Sequence, residues 1–133
     1  MNMDKNTLTA FNVPPPQGVH YVLDIFGYDG AQETIEWWRR TLLGIFKDSP
    51  LLVLHHHFHS FSPHGLTGFL LLSASHLSIH TWPEHSYIAV DLFSCLGEGP
   101  TRPLLDAVLG QIPHSRHELK ILQRGFPPLE AAS

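Results

Sequence analysis

Between Leu66 and Cys95 the chain reads as one strand after another, with little between them. Leu66 to Ser73 is mostly apolar. Leu77 to Thr81 and Tyr87 to Cys95 follow around a Trp82-Pro83-Glu84 corner. Upstream, Val19 to Phe26 alternates and is rich in β-branched and aromatic residues, the pattern of a strand. Gly27-Tyr28-Asp29-Gly30 makes a turn, with Asp29 as the expected cap of the helix that follows. Ala31 to Phe46 sets Ile35, Trp38, Leu42, Ile45 and Phe46 at helical spacing. Leu51 to Phe61 is a further strand, turned by Ser62-Pro63-His64-Gly65. Pro100 to Ile112 is a second helix, with Leu104, Leu105, Val108 and Ile112 inward and Pro113 as its stop. Glu118 to Gln123 closes the chain as a short strand. The order strand, helix, several strands, helix, strand predicts an α+β fold: a two-layer sandwich, a mainly antiparallel β-sheet with two helices on one face.

With 133 residues and a 43% hydrophobic share, the chain can build one core but not two. Residues 1–17 are polar, end in Pro14-Pro15-Pro16, and are expected to form a flexible arm. Residues 18–124 are expected to form the single domain, and 125–133 a loose tail. Eight Lys and Arg, no basic run and a net charge of -4 speak against nucleic acid and anionic membranes as partners. The longest apolar run, Gly68 to Leu72, is too short to span a bilayer. Met1 to Asn12 lacks the features of a signal peptide, and one cysteine allows no internal disulfide. These features together predict a cytoplasmic protein.

The chemistry concentrates in Ser73 to Glu84 and in Cys95. Removing an α-carboxylate leaves an electron pair that needs a sink, and an imine to an activated ketone supplies one. No lysine lies near this region and no glycine-rich phosphate cradle occurs, so pyridoxal phosphate is poorly supported. A pyruvoyl group made from a serine would serve instead. The Ser75 hydroxyl would attack the carbonyl of Ala74, the ester would eliminate, and the new terminal dehydroalanine would hydrolyse to pyruvoyl. His80 suits the base of the elimination, Thr67 a donor to the attacked carbonyl, and Cys95 a proton donor to substrate carbon once CO2 has left.

The same stretch resembles the prokaryotic S-adenosylmethionine decarboxylase proenzymes. The resemblance lies in Ser75-His76-Leu77-Ser78-Ile79-His80-Thr81-Trp82-Pro83-Glu84 and Ala89-Val90-Asp91-Leu92-Phe93-Ser94-Cys95. Gly18-Val19-His20 with Asp24, and Phe58-His59 with Phe61, Pro63, Gly65 and Thr67-Gly68, extend it over residues 18 to 124. It implies a covalent pyruvoyl cofactor generated from Ser75, with a β chain of 1–74 and an α chain of 75–133. It implies Ala74, Ser75, Thr67 and His80 in processing, and Ser75, His80 and Cys95 in catalysis. It implies Phe61 stacked on adenine, Trp82 in the substrate pocket, and Glu84 on the ribose hydroxyls. It implies a homodimer whose active sites draw on both protomers. The product would serve spermidine synthesis.

Three positions depart from the family pattern. Ala74 stands where the family has glutamate. Leu96 separates Cys95 from Gly97, and His85-Ser86 precedes Tyr87 where a glycine is usual. These changes lie near the expected pocket and leave two other readings open. One is a pyruvoyl-dependent arginine or ornithine decarboxylase on the same fold. The other is an uncleaved, non-enzymatic paralogue that binds a nucleoside or pairs with an active copy.

Taken singly, the same residues have plainer explanations: Cys95 as a small buried hydrophobe, Trp82 as core, Glu84 as a solvated charge. His55, His57 and His59 would share one strand face, with His56 on the other. No carboxylate stands beside them in sequence, so a polar exposed face is the expectation, with no metal. Trp38 is expected in the core, Arg39 and Arg40 in solvent, and Trp37 at an interface.

Overall fold

The computed structural model describes residues 15–30 and 34–126. The arm up to Pro14, the helix start at Ala31 and the tail from Pro127 lie outside the described residues. Six strands form one sheet: β1 (Gln17–Phe26), β2 (Val53–Ser60), β3 (Leu66–Leu72), β4 (Ser75–Trp82), β5 (Tyr87–Ser94) and β6 (Arg116–Gly125). Their spatial order is β2-β3-β4-β5-β1-β6, and every pairing is antiparallel. Two helices, α1 (Ile35–Phe46) and α2 (Glu98–Gly110), complete the layered α+β architecture. Among the described residues no helix is long and apolar enough to cross a membrane.

The core lies between the helices and one sheet face. Alternation sends Val19, Tyr21, Leu23 and Ile25 of β1 inward, with Leu77 and Ile79 of β4 and Ile88, Val90 and Leu92 of β5. Trp38, Leu42 and Phe46 of α1 and Thr101, Leu105 and Val108 of α2 are buried with them. Burying each Leu or Ile side chain contributes about 1.5–3 kcal/mol, so these rows hold the layers together. Arg39 and Arg40 are exposed, and Trp37 packs edge-on against Trp38 at 4.9 Å. Among the described residues the opposite sheet face carries no helix. It presents His76, Ser78, His80 and Trp82 of β4, and Tyr87, Ala89, Asp91 and Phe93 of β5.

Several element boundaries differ from expectation. The cap of α1 is Thr34 and not Asp29; Thr34 is extended at φ −132°, and its hydroxyl accepts from the Trp37 amide at 3.0 Å. The second helix starts at Glu98 rather than Pro100, because Pro100 sits in the first turn, where its missing amide is not needed. Strand β4 starts at Ser75 rather than Leu77, since Ser75 pairs with Leu72 and Ser94. Strand β6 runs ten residues, pairing Gln17 with Gly125 at one end and Phe26 with Arg116 at the other. A register shift between Val53 and His55 falls at the start of β2, and His55, His57 and His59 are exposed. No group of three or more His, Cys, Asp or Glu among the described residues gathers into a metal-sized site.

Close packing makes two predictions. A Cβ on Gly68 would stand 2.2 Å from the Phe58 ring, so Gly68→Ala must push that ring aside. It should cost about 1–3 kcal/mol in a denaturant melt. The hydroxyl of buried Tyr21 donates to Glu98 at 3.2 Å, and burial, then the Glu98 charge, pushes its pKa up to about 12. The unfolded chain would release that proton near the ordinary value of about 10. The Tyr21 contribution is therefore complete below pH 10 and disappears as pH rises from 10 to 12. Tyr21→Phe should flatten the alkaline fall of the melting temperature in that window.

Candidate active site

The β3–β4 hairpin closes through Ser73 and Ala74, since Leu72 pairs directly with Ser75. Ser73 is clamped to the chain before β2: its amide donates to Leu52 O at 2.8 Å, and its hydroxyl accepts from the Leu52 amide at 3.0 Å. Ala74 has φ +60°, a left-handed conformation that disfavours a residue with a Cβ by about 1 kcal/mol. Its carbonyl accepts from the Cys95 amide at 2.9 Å. Ser75 comes next, 8% exposed, with its hydroxyl donating to Ser73 O at 3.2 Å. The pairing of Ser75 with Ser94 brings Cys95 alongside. The Cys95 side chain is exposed and free.

This corner has the parts of a self-acylating serine. The nucleophile adjoins the carbonyl it would attack. A fixed backbone N–H already polarises that carbonyl, as an oxyanion donor would. The carbonyl belongs to the backbone, and the Ala74 side chain is exposed. The missing glutamate therefore removes none of these contacts.

The remaining site residues gather at the far end of β4. Thr67 and His80 are register partners, with Thr67 Oγ1 and His80 Nδ1 3.1 Å apart. Phe61, His64, Thr67, His80, Trp82 and Glu84 line a cavity of about 300 Å³. Gly65 at φ +92° turns this wall, and a Cβ there would come within 2.8 Å of Thr81 O. Phe61 is half exposed and open to a planar ligand, while Trp82 stands between His80 and Tyr87. Glu84 is exposed at the cavity edge, in a short 3-10 turn, Pro83–His85.

The two groups do not meet within one chain. Ser75 and His80 are five residues apart on a continuous strand, about 16 Å at 3.3 Å per residue. An odd separation also sends their side chains to opposite faces. Ala74, Ser75 and Cys95 come together at one end of β4, and Phe61, Thr67, His80, Trp82 and Glu84 at the other. The Cys95 amide and the left-handed turn at Ala74 were not foreseen; only strand register reveals them. His64 is a further cavity residue with no sequence signal beyond its place in the Ser62–Gly65 turn.

The sheet and the hairpin serine beside a polarised carbonyl fit a class of self-processing enzymes on an α+β sandwich. A family model described as S-adenosylmethionine decarboxylase matches residues 19–125. The S-adenosylmethionine decarboxylase proenzyme of Sulfurihydrogenibium sp. (strain YO3AOP1) is 39% identical over 113 residues, 84% of this chain and 85% of that protein. The proenzyme of Prochlorococcus marinus (strain MIT 9313) is 36% identical over 83% of this chain and 89% of its own. The crystal structure of the adenosylmethionine decarboxylase from Aquifex aeolicus VF5 superposes with a TM-score of 0.78 at 32% identity, covering 87% of this chain and 97% of that one. A Trypanosoma brucei AdoMetDC-delta26 monomer shares the fold at a TM-score of 0.60 and 18% identity, with 55% of its chain covered. The chain belongs to the S-adenosylmethionine decarboxylase family, carboxy-lyases that carry a pyruvoyl group formed from an internal serine.

Left-handed geometry at Ala74 makes a prediction about the uncut chain. In a Ser75→Ala background, Ala74→Gly should keep the melting temperature or raise stability by up to about 1 kcal/mol. Ala74→Val in the same background should lower it, because a β-branched side chain fits this conformation poorly. A stability order of Val above Gly, read by thermal melts, would contradict the strain at this turn.

Proposed function

We propose that this chain cuts itself between Ala74 and Ser75 and then decarboxylates S-adenosylmethionine, supplying decarboxylated S-adenosylmethionine for spermidine synthesis. The observation that carries this reading is the Ala74 carbonyl held at 2.9 Å by the Cys95 amide, beside Ser75, inside the family's motif. The donor set fits a pyruvoyl group at position 75. Ser75 lies at the start of a strand, shielded from water, with Cys95 one residue beyond its register partner Ser94.

The separation of Ser75 from His80, about 16 Å along the strand, supports a homodimer. A second copy packed on the open sheet face would bring its His80 and Thr67 to the hairpin end of β4, where Ala74 and Ser75 open the strand. Half-buried groups on this face favour such a cover: His20 with Asp91 at 2.8 Å, Ser78 on the same carboxylate, and Phe93 against His20 and His76. In that assembly the Thr67 hydroxyl would donate to the Ala74 carbonyl as Ser75 attacks. His80 would take the Cα proton as the ester eliminates. Phe61 would stack on adenine, and Glu84 would accept from the ribose hydroxyls. Bound substrate meets a pyruvoyl group whose ketone supplies the electron sink for decarboxylation. Cys95 would return a proton to the substrate carbon. The reading also places the enzyme in the cytoplasm, where a lone working thiol stays reduced.

Denaturing intact-mass spectrometry tests self-cleavage, and CO2 release from S-adenosylmethionine, arginine and ornithine tests the substrate. Two fragments, 1–74 and a pyruvoyl-blocked 75–133, with CO2 from S-adenosylmethionine, are expected. A single uncut chain would revive the non-enzymatic paralogue, and CO2 from arginine or ornithine alone would revive those substrates. Cys95→Ala keeps the backbone amide, so it should still cleave while turnover drops by about 10²-fold or more. Unchanged turnover would remove Cys95 from proton donation.

A further inference from the structure

A row of stacked groups crosses the open sheet face at the cavity end. Register pairs Arg116 with Phe26, Phe26 with Tyr87, and Tyr87 with Trp82 across β6, β1, β5 and β4. Directly opposed residues on one face come close enough for their rings to stack. The Arg116 guanidinium lies 4.0 Å from the Phe26 ring centre. Phe26 and Tyr87 stack at 5.4 Å and 26°, and Tyr87 and Trp82 at 5.3 Å and 23°. Trp82 in turn leans on the His80 imidazole at 6.1 Å and 31°.

Tyr87 is the pinned member of the row. Its hydroxyl donates to Asp24 Oδ1 at 2.5 Å, across the β1–β5 pair. Burial, then Asp24, pushes its pKa up to about 12, so it remains a donor at every ordinary pH. Its ring cannot slide or swing without breaking that bond and both stacks. Trp82 neighbours both Tyr87 and His80 and links the two rings, while Phe61 is the more exposed aromatic of the cavity. His80 then has two neighbours that bear on its orientation, the tilted Trp82 ring at 6.1 Å and the Thr67 hydroxyl on Nδ1. When Nδ1–H donates to the Thr67 oxygen, the Nε2 lone pair is left for a proton, and the Thr67 hydroxyl is left to donate onward.

We propose that Tyr87, anchored on Asp24, is a positioning residue that acts through Trp82 to orient the His80 imidazole for the elimination step of self-cleavage. The inference rests on the self-processing reading above. It adds that the rate of one chemical step depends on a residue that touches neither the serine nor the cavity. Loss of the ring lets Trp82 and His80 drift, so the ester forms but eliminates slowly.

The test follows the time course of cleavage in the full chain, with hydroxylamine to split any ester at residue 74. Tyr87→Leu should slow elimination by about tenfold or more and accumulate hydroxylamine-sensitive ester, because small misplacements of a base are costly. Tyr87→Phe keeps the stacks but loses the Asp24 bond, and should cleave at a rate between those of Tyr87→Leu and the unaltered chain. Phe26→Leu, one ring further out, should accumulate ester to a smaller extent. A Tyr87→Leu chain that fails to fold leaves the decision to the other two variants. Ester-free cleavage of Phe26→Leu at the unaltered rate, or Tyr87→Phe as slow as Tyr87→Leu, would overturn the proposal. Failure of the unaltered chain to cleave would instead overturn the self-processing reading itself.

Discussion

The pairing of β4 with β5 is the interaction on which the rest of the molecule depends. It places Ser75 opposite Ser94 and thereby delivers the Cys95 amide to the Ala74 carbonyl. A slip of one residue would exchange every side chain of β4 between the two sheet faces. Leu77 and Ile79 would leave the core, and His80 would leave its cavity. The burial of these apolar residues thus holds the reactive hairpin in register. Core packing and site geometry are the same constraint seen from two faces of one strand.

The two faces of the sheet have divided the work. One is closed by α1 and α2 and supplies most of the apolar burial. The other is lined with imidazoles, carboxylates, hydroxyls and aromatic rings, a composition that would be costly in a dry core without partners. Here those groups find each other: His20 with Asp91, Ser78 with Asp91, and Tyr87 with Asp24. A face that is polar yet internally satisfied can meet a second copy without stranding charges.

Much of the fold was legible because β1 alternates plainly, β3 is a short apolar run between turn residues, and α1 has a clean apolar stripe. Strand β6 was harder to delimit. It is an edge strand with almost every side chain exposed, so backbone pairing rather than hydrophobic pattern sets its length. The cap of α1 was misplaced because Asp29 and Thr34 both suit a cap, and only the turn geometry decides between them. In the site, the residue types were legible from the motif. Their grouping was not, because five residues of strand carry a side chain far along the sheet and to the other face.

By itself the sequence determined the chemistry available: a serine after an alanine, one thiol, a histidine and hydroxyl pair, and an aromatic and a carboxylate suited to a nucleoside. It also determined the alternation that makes a sheet with one apolar face. Only the tertiary structure decided which of these groups become neighbours. Register is a property of strand pairs, and neither the Cys95 amide on the Ala74 carbonyl nor the row from Arg116 to His80 exists until four separate segments align. The separation of Ser75 from His80 has the same origin: an extended strand advances about 3.3 Å per residue, and proximity in sequence then means distance in space.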